Sequence, residues 1–143
     1  MKILLAVDGS ECAVRATRKL VEMSAALKEP PGVELVTVQL PVPHVGGFSG
    51  KVISQDMIES HYRAEGEKAL APSVRVLQEA KVAYTPHILV GEIARAIVEE
   101  AEKRGCELIC MGTRGMGAAS SMLIGSIGIK VLHRARIPVT LVP

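Results

Sequence analysis

Short runs of branched apolar residues alternate along this chain with segments whose apolar residues recur every three or four positions. The first run, Ile3 to Val7, is apolar at every position and stops at Asp8-Gly9-Ser10. A strand without polar alternation is one buried on both faces, as in parallel sheets. Ser10 can cap the following helix by accepting from its free amides. Val14, Thr17, Leu20, Val21, Ser24 and Leu27 then recur at helical spacing until Pro30-Pro31-Gly32 stops the helix. Val33 to Val38 reads as a second strand. Residues 41–52, with Pro41, Pro43, Gly46, Gly47 and Gly50, read as a mobile loop. Ile53 to Ala71 reads as helix, and Pro72 either kinks it or opens a second helix in its own first turn. Tyr84 to Val90 is a third strand. Ile93, Ala94, Ile97, Val98 and Ala101 form the apolar face of the next helix, which Gly105 ends. Leu108 to Met111 is a fourth strand, followed by a Gly- and Ser-rich stretch over 112–126. Ile127 to Ala135 is a last short helix and Pro138 to Val142 a last strand.

Strands that alternate with helices in this way build an α/β fold: a parallel sheet with helices on both faces, because right-handed crossovers place them there. The 143 residues carry no internal repeat, low-complexity segment or long linker, so 1–143 is expected to be one domain. The aromatic content of 2% (Phe48, Tyr62 and Tyr84) leaves little for stacking on single-stranded bases. A net charge of +2 is too mild for an electrostatic footprint on nucleic acid or an anionic membrane, so neither is an expected partner. Cys12, Cys106 and Cys110 are too few for a disulfide framework, and no apolar run is as long as a membrane span. Met1-Lys2 leads directly into the first strand without a signal-peptide pattern, so the expected location is cytoplasmic.

Ligands of open parallel sheets bind beyond the carboxyl ends of the strands, where the strand order reverses. Two strand ends here suit that purpose: Val7-Asp8-Gly9-Ser10, and Met111-Gly112-Thr113-Arg114-Gly115-Met116-Gly117 running on to Gly125-Ser126. Glycines let backbone amides approach a ligand, and a helix N-terminus adds unpaired N–H groups and partial positive charge. Together they describe an anion cradle for phosphates, with ordinary turns as the alternative. The G-x-G-x-x-G fingerprint is absent after the first strand, and so is the Walker pattern, since Gly125 is followed by Ser126 and not Lys.

The spacing of Gly112, Gly115, Gly125 and Ser126, G-x2-G-x9-G-[ST], resembles the nucleotide-binding motif of the universal stress protein family. The opening Ile3 to Ser10, Gly91-Glu92 before a helix, Leu108 to Gly112 and the ending Ile137-Pro138-Val139 to Val142 are similar to that family too. The resemblance covers nearly the entire chain and is weakest over 41–82, where the family varies. It implies a Rossmann-like open sheet of five parallel strands in the order 3-2-1-4-5, and a homodimer joined through the C-terminal strand. It implies ATP as ligand, with Mg²⁺ held mainly by the phosphates. It places Asp8 beside the adenosine and Ala6 at the border of the same pocket. Val38 offers its backbone to the adenine edge, and Met111 and Gly112 line the floor. Arg114 and Gly115 follow the ribose and phosphates, while Gly125, Ser126 and Ile127 hold phosphates through amides and the Ser hydroxyl. The function so implied is a stress-response regulator or chaperone-like factor with at most slow ATP hydrolysis, not a fast enzyme.

Two alternatives stand beside it. One is an interaction module of the same fold without nucleotide; the other is an ATP-cleaving enzyme of the related α-hydrolase-like group, disfavoured because the first turn has a single glycine, Gly9. Asp8 also reads as a simple helix-starting residue. Cys106 and Cys110 read as small buried hydrophobes, and His44, His61, His87 and His133 as surface residues without metal spacing. Lys130, Arg134 and Arg136 read as a solvated helix face. Ser120-Ser121 lacks a G-x-S-x-G setting. Gly128 inside the last helix costs about 1 kcal/mol relative to Ala.

Overall fold

A computed structural model describes residues 1–43, 54–116 and 123–143. The elements run in chain order as β1 (Lys2–Ala6), α1 (Glu11–Ala25), β2 (Gly32–Gln39), α2 (Gln55–Glu79), β3 (Tyr84–Val90), α3 (Ile93–Lys103), β4 (Leu108–Gly112), α4 (Ser126–Arg134) and β5 (Val139–Val142). All strand pairings are parallel, in the order β3-β2-β1-β4-β5. The α/β class and the strand order are as expected.

The continuous apolar run of β1 divides between two cores because successive side chains point to opposite faces. Ile3 and Leu5 pack with Ala13, Ala16 and Leu20 of α1 and Leu70 and Leu77 of α2. Leu4 and Ala6 pack with Ile97, Val98 and Ala101 of α3 and Val131 of α4. The edge strands β3 and β5 are only partly buried. Pro86 is tolerated because β3 is, among the described residues, an edge strand of the sheet.

Three expectations need correction. The first helix stops at Ala25, short of the proline pair, because Ala26 to Pro30 are exposed and have no core to cover. Pro72 does not open a second helix; α2 runs through it to Glu79 as one element, past the expected end at Ala71. The neighbouring Ser73, fully buried, hydrogen-bonds Thr17 Oγ1 at 2.8 Å and anchors that turn against α1. His87 is not a surface residue. Its side chain is 12% exposed, and Nε2 lies 2.6 Å from Glu34 Oε2. The expected loop lies mostly outside the described residues, as do His44, Ile53, Gly117 and Ser120-Ser121. Lys130, Arg134 and Arg136 are exposed, and Cys106 and Cys110 are buried and unbridged.

The His87 network joins β2, β3 and the end of α3. His87 Nε2 faces Glu34, and its Nδ1 faces Arg104, whose NH2 lies 3.4 Å away. Arg104 also binds Glu100 Oε1 through Nε at 2.7 Å, and Lys2 Nζ stands 3.6 Å from Glu34 Oε1. Burial alone would raise the Glu34 carboxyl. The hydrogen bond from His87 and the positive charges of His87, Lys2 and Arg104 outweigh it and hold the group below its ordinary range.

Candidate functional site

From β1 the chain proceeds outward through β2 to β3, then returns to place β4 on the other side of β1. The reversal therefore lies between β1 and β4. Beyond their carboxyl ends a cavity of about 430 Å³ opens, within the range of small-molecule sites, roughly 300–1,000 Å³. All ten residues singled out from the sequence line it: Ala6 and Asp8 after β1, Val38 on β2, Met111 and Gly112 on β4, Arg114 and Gly115 beyond it, and Gly125, Ser126 and Ile127 at the start of α4.

One end of the cavity is apolar, walled by Ala6, Val36, Val38, Ile93, Ile97 and Met111. Val36 O accepts from Val7 N on the β1 side of β2. In a parallel strand the N–H and C=O of one residue point to the same side, and alternate residues share it. Val38 therefore turns its N–H and C=O toward β1 as well, but beyond the last β1–β2 pair, Ala6 with Val36. Its backbone faces the crevice with no strand to meet it.

The other end is built of backbone. Asp8 Oδ1 accepts from Ser10 N at 2.9 Å, and Oδ2 accepts from Met116 N at 3.0 Å. The carboxylate thus ties the segment after β4 to the end of β1. At Gly115 a Cβ would lie 2.6 Å from Asp8 Oδ2, and at Gly112 a Cβ would lie 2.8 Å from Cys12 Cβ and 2.9 Å from its carbonyl carbon. The two glycines therefore serve different ends: Gly115 keeps the Asp8 link, and Gly112 lets α1 close on β4.

Gly125 is the N-cap of α4. Its amide donates to Thr113 O at 2.6 Å, so it is committed within the chain and holds the start of α4 against the β4 extension. The next residues, Ser126, Ile127 and Gly128, open α4, where amides have no intrahelical acceptor. These amides are left without an intrahelical acceptor, whereas that of Gly125 is taken. Val36, Ile93 and Ile97 also line the cavity and escaped sequence reasoning, and Thr113, quoted only as part of the second strand end, was given no role there. For Thr113 the available signal was its position inside the glycine motif; the three aliphatic residues look like any core positions.

The family match spans residues 1–143 and is to the universal stress protein family. The chain belongs to the universal stress protein family. Among relatives, universal stress protein MJ0531 of Methanocaldococcus jannaschii is 30% identical over 143 residues, covering 99% of this chain and 81% of the relative. A universal stress protein of Thermus aquaticus is 33% identical over 141 residues, covering 98% and 96%. Among solved structures, universal stress protein UspA from Lactobacillus plantarum superposes with a TM-score of 0.77 at 17% identity, covering 100% of this chain and 97% of that one. Three further universal stress protein structures hold nucleotides. One from Arabidopsis thaliana has AMP bound (TM-score 0.66, 17% identity, 99% and 90% covered). One from Archaeoglobus fulgidus is in complex with dAMP (0.66, 22%, 100% and 98%). Another universal stress protein is in complex with cAMP (0.67, 19%, 100% and 97%).

Proposed function

We propose that this universal stress protein binds an adenine nucleotide, ATP in the first instance, in the cavity between β1 and β4, and acts as a stress-response regulator or chaperone-like factor. One observation carries the reading: the glycine motif, the Asp8 turn and the first turn of α4 meet around one cavity that is apolar at one end and rich in amides at the other. The base suits the apolar end beside the Val38 backbone, and the phosphates suit the amides of Ser126 and Ile127. Relatives of the same fold hold AMP, dAMP and cAMP, which supports the adenine class. The described residues include no cluster of three His, Cys, Asp or Glu that could hold a metal, so Mg²⁺ would be carried by phosphate oxygens and water. Asp8 is the one carboxylate among the described lining residues, and its oxygens already accept two amides. Hydrolysis, if any, is slow on this reading.

We also propose a homodimer through β5. Among the described residues that strand pairs with β4 alone, which leaves its other edge unpaired there, and Ile129 and Leu132 of α4 are 43% and 46% exposed. Light scattering at micromolar concentration should give twice the 15.2 kDa chain mass. Among the described residues no helix is long and apolar enough to cross a membrane. Three unbridged cysteines suit a reducing compartment, and we place the protein in the cytoplasm.

Calorimetry and thermal melting with MgATP and AMP test the binding. A ligand specific to the folded state raises the melting temperature. Gly115→Val should abolish that rise by displacing Asp8 and crowding the loop. Equal melting temperatures with and without either nucleotide would instead favour an interaction module that holds none.

A further inference from the structure

Thr113 stands immediately after β4, between Gly112 and Arg114, and lines the cavity. It is 8% exposed. Its backbone is fully used, with N donating to Val142 O at 2.8 Å and O accepting from Gly125 N at 2.6 Å. Its hydroxyl Oγ1 is buried and has no hydrogen-bond partner among the described residues. A buried polar atom in that state costs stability, and valine has nearly the same shape without the cost. Packing alone therefore does not account for a threonine here.

We propose that Thr113 is a ligand-binding residue whose hydroxyl donates to the phosphoryl group nearest the ribose of the bound nucleotide. This rests on the nucleotide reading above. The hydroxyl is the one unspent polar group of a residue whose carbonyl holds the start of α4, so it belongs to the phosphate end of the cavity. It follows the end of β4 directly, nearer the sheet than Gly115, which suits the first phosphoryl group better than a terminal one. Rotation about Cα–Cβ carries the hydroxyl from one staggered position to another without backbone movement. Anionic phosphoryl oxygen is a strong acceptor, and a hydrogen bond to a charged partner is stronger than a neutral one. Thr113 would thus help the site distinguish a nucleotide from a nucleoside, and would do so for mono- and triphosphates alike.

The test compares wild type, Thr113→Val, Thr113→Ser and Thr113→Ala in thermal melting without ligand and in calorimetry with adenosine, AMP and MgATP. Thr113→Val should melt at or above the wild-type temperature, yet bind AMP and MgATP roughly tenfold or more weakly. Adenosine affinity should change far less, and Thr113→Ser should keep AMP affinity close to wild type. A structural role alone would not make stability and affinity move in opposite directions. Unchanged AMP affinity in Thr113→Val overturns the proposal, and so does an equal loss for adenosine and AMP. If Thr113→Val folds poorly, the Ala and Ser variants decide the matter: equal AMP affinity in the two overturns it. Wild-type protein that binds none of the three ligands removes the nucleotide reading itself, whereas wild-type binding with an intact Thr113→Val overturns Thr113 alone.

Discussion

Asp8 and Gly115 are in contact across the reversal of the sheet: the carboxylate that accepts from Met116 N would lie 2.6 Å from any Cβ added at Gly115. Gly115→Ala should therefore break the Asp8–Met116 link and weaken nucleotide binding. Gly125→Ala should be milder, because a Cβ there meets Thr113 O at 3.4 Å and Arg114 Cα at 3.6 Å, ordinary contact distances. Asp8→Ala should lose about 1 kcal/mol of stability, below the usual range for hydrogen bonds to charge because Asp8 is exposed. Urea unfolding and calorimetry on the three variants check the ranking; equal behaviour of the two glycine variants contradicts it.

Gly112 is a packing glycine. An added methyl would press on both Cβ and the carbonyl carbon of Cys12, and backbone cannot swing aside as a side-chain end can. Gly112→Ala should destabilise the protein by about 1–3 kcal/mol, the usual cost of overpacking. Cys12→Ala should not rescue it, because the clashing atoms remain in alanine. A double variant restored to the stability of Cys12→Ala contradicts this.

Element order and the two strand ends at Asp8 and Gly112 were legible in the sequence because apolar periodicity records which faces are buried, and glycines mark where backbone approaches. The exact order of the sheet came through resemblance to a family. Partnerships between polar groups were not legible. Nothing local to Asp8 says that it meets Met116, which is 108 positions away. Nothing local to Gly125 says that its amide is already taken by Thr113. His87 looks like any exposed strand residue until Glu34, on the neighbouring strand, is seen beside it. At Pro72 two readings stayed open, a kink or a new helix, because the intrinsic cost of proline was visible while the burial of Ser73 beside it was not.

The Glu34–His87 pair makes stability depend on acid pH. The native carboxyl titrates below its ordinary value of 4.5, so its contribution is present in full above that value. It is lost as pH falls through the lowered native value. Glu34→Gln should therefore reduce stability at neutral pH and flatten the acid limb of the stability curve. Parallel acid limbs for wild type and Glu34→Gln, measured by urea unfolding between about pH 2 and 6, contradict the assignment.

Burial pushes the Cys110 thiol up to about 11, and burial followed by the charges of Glu34 and Glu100 raises Cys106. The thiolate is the reactive form, so both should resist alkylation by iodoacetamide at pH 8 while the protein is folded and react once it is unfolded. Mass spectrometry locates the label. Rapid stoichiometric modification of Cys110 in native buffer contradicts its buried state.

The most direct measurement of where a nucleotide sits is a titration of the isotope-labelled protein with AMP, followed by amide resonances. The account predicts shifts concentrated at Val38, Gly112, Thr113, Gly115, Ser126 and Ile127, with Lys2, Glu34 and Arg104, toward the amino ends of the strands, left in place. Saturable shifts clustered elsewhere, or none at millimolar AMP, would contradict it.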